Sequence, residues 1–350
     1  MGFDRNVSLA EHTTIRLGGP ASHFVTVTSV DQIRTCLRRA AENRWPAQIL
    51  GGGSNIIFSD EGFNGLIIKI GLSGMDYSEK GTEGFLRVGA GENWDDVVRF
   101  AIEKGATGLE CLSGIPGLAG AVPVQNVGAY GQEVRETIIS VKVLDRTTLE
   151  EEEFSNDACD FSYRQSRFKQ GDRDKFIITE VLFRLRPNGK PEIRYDELRR
   201  HIENESQNIL DQKGPRSLAA IRASVLALRK RKSMLIDFTD PHSRSCGSFF
   251  MNPVLNNEEF QSLQYRVNKK DIPHFPAENG VKVPAAWLVE LAGFHKGYRA
   301  GSVGVSANHS LALVNYGGTT MELLALANAI QRKVQEEFSV SLEREPVIVP

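Results

Sequence analysis

The stretch Gly114–Gly131, GIPGLAGAVPVQNVGAYG, constrains this chain more than any other. It sets five glycines and two prolines within 18 residues. Glycine loses more backbone freedom on folding than any other residue, so this density is costly unless the main chain must pass where a Cβ cannot. Pro116 and Pro123 fix φ and stiffen the track, and Gln125 and Asn126 bring paired donors and acceptors. A long irregular loop between two strands would have a similar composition. The length of the run, and a second glycine cluster earlier in the chain, favour a cradle for a nucleotide.

That second cluster is Gly51-Gly52-Gly53-Ser54-Asn55. Phe24–Thr28 reads as a strand, and Ser29 with Gln32 as a capping box opening a helix to about Arg44. The apolar Ala47–Leu50 then runs straight into the glycines. A glycine loop after a strand can wrap a phosphate with its N–H groups, helped here by the side chains of Ser54 and Asn55. It is not GxGxxG and lacks the lysine of a Walker loop, so neither a Rossmann nor a P-loop assignment follows. A turn between two short strands is the plainer alternative.

Further along, Gly65–Ile70 and Phe85–Val88 read as strands, and Gly89–Gly105 as an amphipathic helix with its turn, apolar at Val97, Val98, Ala101 and Ile102. Strands follow at Ile138–Leu144 and Phe176–Leu185, with a solvated acidic run, Glu150–Glu153, between them. A helix from about Leu218 is apolar at Ile221, Val225 and Leu228. It ends in Arg229-Lys230-Arg231-Lys232, read as a solvated face unless it borders a phosphate site. Val283–Leu291 reads as a short helix. Thr319 with Glu322 opens a strong one, apolar at Leu323, Leu326, Ile330, Val334 and Phe338, before a last strand, Val340–Val349. Strands and helices mix without strict βαβ alternation, which predicts an α+β fold.

A chain of 350 residues exceeds one core and implies two or three domains. The formal charge of −2, from 42 basic and 44 acidic residues, gives no reason to expect a nucleic-acid partner. The four cysteines, Cys36, Cys111, Cys159 and Cys246, contain no CxxC pair, and the seven histidines form no ligand spacing. We therefore expect no metal site, no disulfide framework and a cytoplasmic protein. No apolar run reaches the roughly 18–20 residues that span a bilayer, so membrane insertion is not expected. A monomer is expected.

Three further stretches carry possible chemistry. In FSYRQSRF, Arg164 offers a planar fork suited to a carboxylate or phosphate, or to a surface ion pair. In CGSFFMNP, Ser248 could donate a proton, but with no G-x-S-x-G elbow a hydrolase triad is poorly supported. In LEREP, alternation puts Glu343 and Glu345 on one face and Arg344 on the other. Read singly, these residues give a nucleotide-phosphate binder with a possible acid/base site.

Read together and in order, HTTIRLGGPA, LGGGSNIIFSD, GAGENWDDVV, GLECLSGIPGLAGAVPVQNVGAYGQEV, FSYRQSRF, IRYDEL, GSFFMNPV and LEREP resemble the UDP-N-acetylenolpyruvoylglucosamine reductases, or UDP-N-acetylmuramate dehydrogenases. These are flavoenzymes of bacterial peptidoglycan synthesis. The likeness runs from about residue 12 to 347. Tyr195 in IRYDEL matches the longer type of that family, which carries a substrate tyrosine. The link after Lys232 is longer than in many members.

The resemblance implies an FAD-binding module of the vanillyl-alcohol-oxidase (PCMH) type, with subdomains at 1–72 and 73–232. A C-terminal α+β substrate domain would occupy 233–337, and the final strand, 338–350, would return near the flavin. It implies non-covalent FAD held by Gly51, Gly52, Gly53, Ser54, Asn55, Gly114, Ile115, Pro116, Gly117, Gly120, Gln125, Asn126, Gly128, Ala129, Tyr130 and Gly131. NADPH would reduce the flavin, and UDP-GlcNAc-enolpyruvate would be the substrate. Arg164, Ser248 and Glu345 would be catalytic, with Tyr163, Tyr195, Lys232, Asn252 and His309 as substrate contacts. Another FAD-dependent oxidoreductase of the superfamily would explain GGGSN but not GSFF–NP. A non-catalytic UDP-sugar binding protein would be expected to have lost Ser248 or Arg164.

Overall fold

The computed structural model describes residues 2–205, 209–267 and 271–350. The chain divides into two units. The first comprises the N-terminal stretch to Val7, Ala21–Gly52 and Asn64–Arg231; the second comprises Ser8–Pro20, Gly53–Phe63 and Lys232–Pro350.

In the first unit, the strands Pro20–Val27, Phe63–Ile70 and Ala47–Leu50 lie side by side, with Ala47–Leu50 parallel to Phe63–Ile70. The helix Val30–Asn43, which joins Pro20–Val27 to Ala47–Leu50, buries Ile33, Cys36, Leu37 and Ala40. Ser29 caps this helix by accepting from the Gln32 N–H, but the Gln32 carboxamide turns one residue further back and accepts from the Thr28 N–H. The expected capping box is therefore shifted by one residue.

An antiparallel sheet follows, in the order Glu151–Ser155, Ile138–Asp145, Phe176–Pro187, Glu83–Gly89, Met75–Lys80. The acidic run expected to be plain solvated chain is largely this sheet's edge strand. Its carboxylates face water, which suits an edge that must not pair further. The helix Trp94–Glu103 buries Trp94, Val97, Val98, Ala101 and Ile102 against this unit's main core. The helix Pro215–Arg231 begins a turn earlier than Leu218. It packs Ile221, Val225 and Leu228 with Leu198 and Ile202 in a separate small core.

The second unit is built around the helix Thr320–Phe338, whose Thr319–Glu322 capping box forms as expected. Its buried stripe packs with Ile57, Phe249, Phe250, Leu288, Val303 and Val305. The short helix spans Ala285–Leu291. The last strand is shorter than expected. Only Val347–Val349 is regular, running parallel to Ile56–Phe58. Glu343–Glu345 instead lies along Phe249–Met251 through single hydrogen bonds and a Phe250–Arg344 bridge. Among the described residues no helix is long and apolar enough to cross a membrane.

Candidate active site

The glycine track is held from its first residue in the first unit. Gly114, at φ +70°, donates its N–H to Asp95 Oδ1 at 2.5 Å, and its carbonyl accepts from Arg229 Nε at 3.1 Å. The next turn pairs with the lead-in to the helix Trp94–Glu103. Trp94 N–H donates to the Gly117 carbonyl at 3.1 Å, and Gly120 N–H to Ala90 at 2.9 Å. Here close approach explains the glycines. A Cβ at Gly120 would sit 2.5 Å from Ala90 Cβ, and one at Gly52 would sit 2.7 Å from Gly117 Cα. The two glycine clusters thus meet backbone to backbone.

Asn126 is fully buried in the left-handed region, at φ +43°. Its amide group donates to Glu133 and to the Ser162 carbonyl, both at 2.9 Å, and its oxygen accepts from Arg135 N–H at 3.2 Å. The side chain therefore clasps the track to the segment that carries Arg164. There Ser162 and Gln165 bond to each other across a tight turn, with Tyr163 and Arg164 at its tip and Arg164 at φ +57°. Arg164 Nη2 donates to the Gly128 carbonyl at 2.7 Å. A Cβ on Gly128 would stand 3.2 Å from Arg164 Nη1. It would stand closer still to Glu133 Cγ, at 2.8 Å, and to the Gln132 carbonyl oxygen, at 2.9 Å, so the paired Gln132–Glu133 strand is what chiefly demands a glycine here.

At the far end, Tyr130 meets Tyr195 edge-on, with ring centroids 5.5 Å apart. Burial pushes the Tyr130 hydroxyl up to about 12 and raises that of Tyr195 as well. Both rings are therefore neutral hydrogen-bonding groups at physiological pH. Tyr195 is 41% exposed. Arg164 and Tyr195 thus both lie at the Gly128–Gly131 end of the track, with the Arg164 guanidinium 5.3 Å from the centroid of the Tyr163 ring.

In the second unit, Asn55, Glu345 and the residue after Ser248 are joined through the main chain. Asn55 Nδ2 donates to the Glu345 carbonyl at 3.2 Å, and Val347 N–H to the Asn55 carbonyl at 3.0 Å. Gly53, at φ +68°, has room for no side chain, because a Cβ would lie 1.9 Å from the His12 carbonyl oxygen. Glu345 N–H donates to the Phe249 carbonyl at 2.9 Å, one residue after Ser248. Arg344, between the two glutamates, is turned onto the long helix, where it donates to Gln331 at 2.9 Å and to Asn328 at 2.5 Å. That anchoring holds the extended segment that carries Glu345.

Asn252 accepts from Ala285 N–H at the start of a helix, which leaves its amide NH2 as the donating end. Asn308 donates to Ser233 at 2.8 Å, bringing the neighbours Lys232 and His309 into one region. His309 Nδ1 accepts from Leu311 N–H at 3.0 Å.

Sequence reasoning missed Asp95, Arg222 and Arg229. The basic run at the end of the helix Pro215–Arg231 is only partly a solvated face. Arg231, its side chain 63% exposed, pairs with Glu197 at 3.2 Å, but Arg229 turns inward to Gly114. Arg222 and Arg229 are seven residues apart, and that spacing on a helix was the available signal.

The fold and these two glycine clusters define an FAD-binding oxidoreductase with an additional C-terminal domain. Residues 21–148 match the family described as FAD binding domain. Residues 240–349 match UDP-N-acetylenolpyruvoylglucosamine reductase, C-terminal domain. Over the full chain, the UDP-N-acetylenolpyruvoylglucosamine reductase of Thermobifida fusca is 43% identical, covering 99% of this chain and 98% of its own. That of Mycobacterium tuberculosis is 41% identical, covering 98% and 94%. The crystal structure of the Thermus caldophilus enzyme superposes with a TM-score of 0.67 at 26% identity, covering all of both chains. This chain belongs to the UDP-N-acetylenolpyruvoylglucosamine reductase family.

Proposed function

We propose that the chain reduces UDP-N-acetylglucosamine enolpyruvate to UDP-N-acetylmuramate at the expense of NADPH, a step of peptidoglycan precursor synthesis. The observation that carries this reading is the convergence on the track's end. Arg164 binds the Gly128 carbonyl, and Tyr195 stands over Tyr130. These contacts support reading Arg164 as the family's cation and Tyr195 as its substrate tyrosine, beside the main chain we assign to the cofactor. The residues fit FAD at Gly51: a Cβ there would meet only Ala121 Cβ, at 3.8 Å, which leaves bare main chain with space beside it.

When bound, FAD supplies the two-electron carrier that takes hydride from NADPH and gives it to C3 of the enolpyruvyl group. Charge then develops on the substrate carboxylate. A fixed guanidinium stabilises it more in the transition state than in the ground state, and Arg164 has that role. Ser248 delivers the proton to C2. As a weak acid it needs hydrogen-bond support to do so, and Glu345 orients the substrate or aids that transfer. Tyr195, Lys232 and the Asn252 amide serve as donors to the diphosphate; Tyr163 and His309 are further substrate contacts. We assign 1–72 and 73–232 to FAD, 233–337 to the substrate, and 338–350 to a return beside the flavin.

The test is anaerobic stopped-flow on the yellow protein. NADPH should bleach the flavin band, and UDP-GlcNAc-enolpyruvate should then restore it. Bleaching by NADPH without recovery on adding that substrate would refute the reading.

A further inference from the structure

Gly114 opens the glycine track, and both its N–H and its carbonyl are tied. Its N–H is taken by Asp95 and its carbonyl by Arg229. Asp95 also forms a bidentate pair with Arg222, at 2.5 Å and 2.6 Å. Arg222 is 16% exposed and Asp95 33%, so this fork–fork pair is screened less than a surface one. Two helices are brought together here. Asp95 lies in the first turn of Trp94–Glu103, where a negative charge complements the helix dipole. Arg222 and Arg229 lie two turns apart on Pro215–Arg231.

The second helix grips the other end of the track as well. Tyr130 packs on the small core that Ile221, Val225 and Leu228 form with Cys111 and Ile193, and the Arg229 charge acts on the Tyr130 hydroxyl. One helix therefore contacts the track at residue 114 through a guanidinium and shares with Tyr130 the small core that its apolar face helps to build.

We propose that Asp95, Arg222 and Arg229 are positioning residues for the cofactor: they clamp Gly114 and, through the helix Pro215–Arg231, set the spacing of the track from Gly114 to Tyr130 before FAD binds. The affinity for FAD then includes a term for preorganisation. Without the clamp, cofactor binding would have to order this main chain itself.

The test uses purified holoenzyme of Asp95→Asn and of Arg222→Lys. Asparagine keeps the shape but removes the charge; lysine keeps a charge but loses the planar fork. FAD release is followed by flavin fluorescence after dilution, the flavin environment by visible circular dichroism, and the fold by far-UV circular dichroism. We expect release to be about tenfold faster in Asp95→Asn, with an altered visible flavin spectrum and unchanged secondary structure. Arg222→Lys should fall between Asp95→Asn and the parent. The double variant should release FAD no faster than Asp95→Asn alone, because both changes open one clamp. A lowered melting temperature with unaltered release and flavin spectrum would overturn the proposal and leave the cluster a purely structural role. If Asp95→Asn yields no folded holoenzyme, Arg222→Lys decides: release and spectrum identical to the parent would refute it.

Discussion

Gly51 and Gly52 are adjacent, yet alanine should have opposite effects on the apoprotein at the two positions. A Cβ at Gly52 would stand 2.7 Å from Gly117 Cα, 3.1 Å from Gly117 C and 3.4 Å from Leu118 N. Carbon atoms in contact settle at about 3.5–4.0 Å, so the two glycine tracks would have to part by about 1 Å. Both sides are backbone and cannot rotate away. Overpacking of this kind costs about 1–3 kcal/mol, and each kcal/mol lowers Tm by about 2–4 °C in a unit of this size. At Gly51 a Cβ would meet only Ala121 Cβ, at 3.8 Å, and Gly51 is not among the positive-φ glycines. Alanine there should stabilise the apoprotein by about 0.4–1 kcal/mol, by narrowing the unfolded ensemble. If the Gly51 main chain lies against FAD, the same methyl should raise the FAD Kd by about tenfold, or about 1.4 kcal/mol. Calorimetry of the stripped proteins and fluorescence titration with FAD measure the two effects separately. A fall in apoprotein Tm for Gly51→Ala as large as that for Gly52→Ala would refute the steric reasoning. An unchanged FAD Kd in Gly51→Ala would remove Gly51 from the cofactor contacts.

Ser248→Ala should leave flavin reduction by NADPH intact and slow reoxidation by the enolpyruvyl substrate by about a hundredfold or more, the scale of general acid catalysis; equal losses in both half-reactions would refute a proton-donor role. Arg164→Lys should impair the second half-reaction, because an ammonium lacks the fork and cannot hold the Gly128 carbonyl in the same way; near-normal turnover would argue against a carboxylate contact. Glu345→Gln should resemble the serine variant, and an unaffected rate would leave Glu345 a structural role. Glu110 gives a pH prediction. Burial raises its carboxyl above the ordinary range, although the Gly108 N–H, at 2.7 Å, and nearby main-chain donors oppose the shift. A carboxyl whose folded pKa is raised adds no cost below its unfolded value of about 4.3, and burdens the fold once pH rises through the folded value. Glu110→Gln should therefore raise Tm at pH 7 and leave it unchanged at about pH 4. A pH-independent difference would show that the charge is not the cause.

How much of this was legible in the sequence depends on what each residue answers to. The helix Thr320–Phe338 was readable because its apolar period and its capping box agree with each other and with the core that receives them. The glycine tracks were readable as backbone needing close approach, and the Gly52–Gly117 and Gly120–Ala90 distances supply the reason. Glu151–Ser155 was not readable as a strand, because an edge strand's exposed carboxylates serve to block pairing and carry no alternation to a core. The final strand was overextended because Leu342–Glu345 keeps an extended pattern while bonding only locally to Phe249–Met251. Arg229 was obscured by composition: in a run of four basic residues, only the helical position of each decides which one turns inward. Two turns earlier Arg222 occupies the same face and finds Asp95. Asp95 in turn answers both to Arg222, 127 residues away, and to the Gly114 N–H, 19 residues away. A local pattern shows that a residue is charged; only the fold shows which charge it answers. The residues that sequence reasoning overlooked are therefore the ones whose partners are distant and whose role is to hold main chain, whereas those it found belong to motifs that are also continuous in the chain.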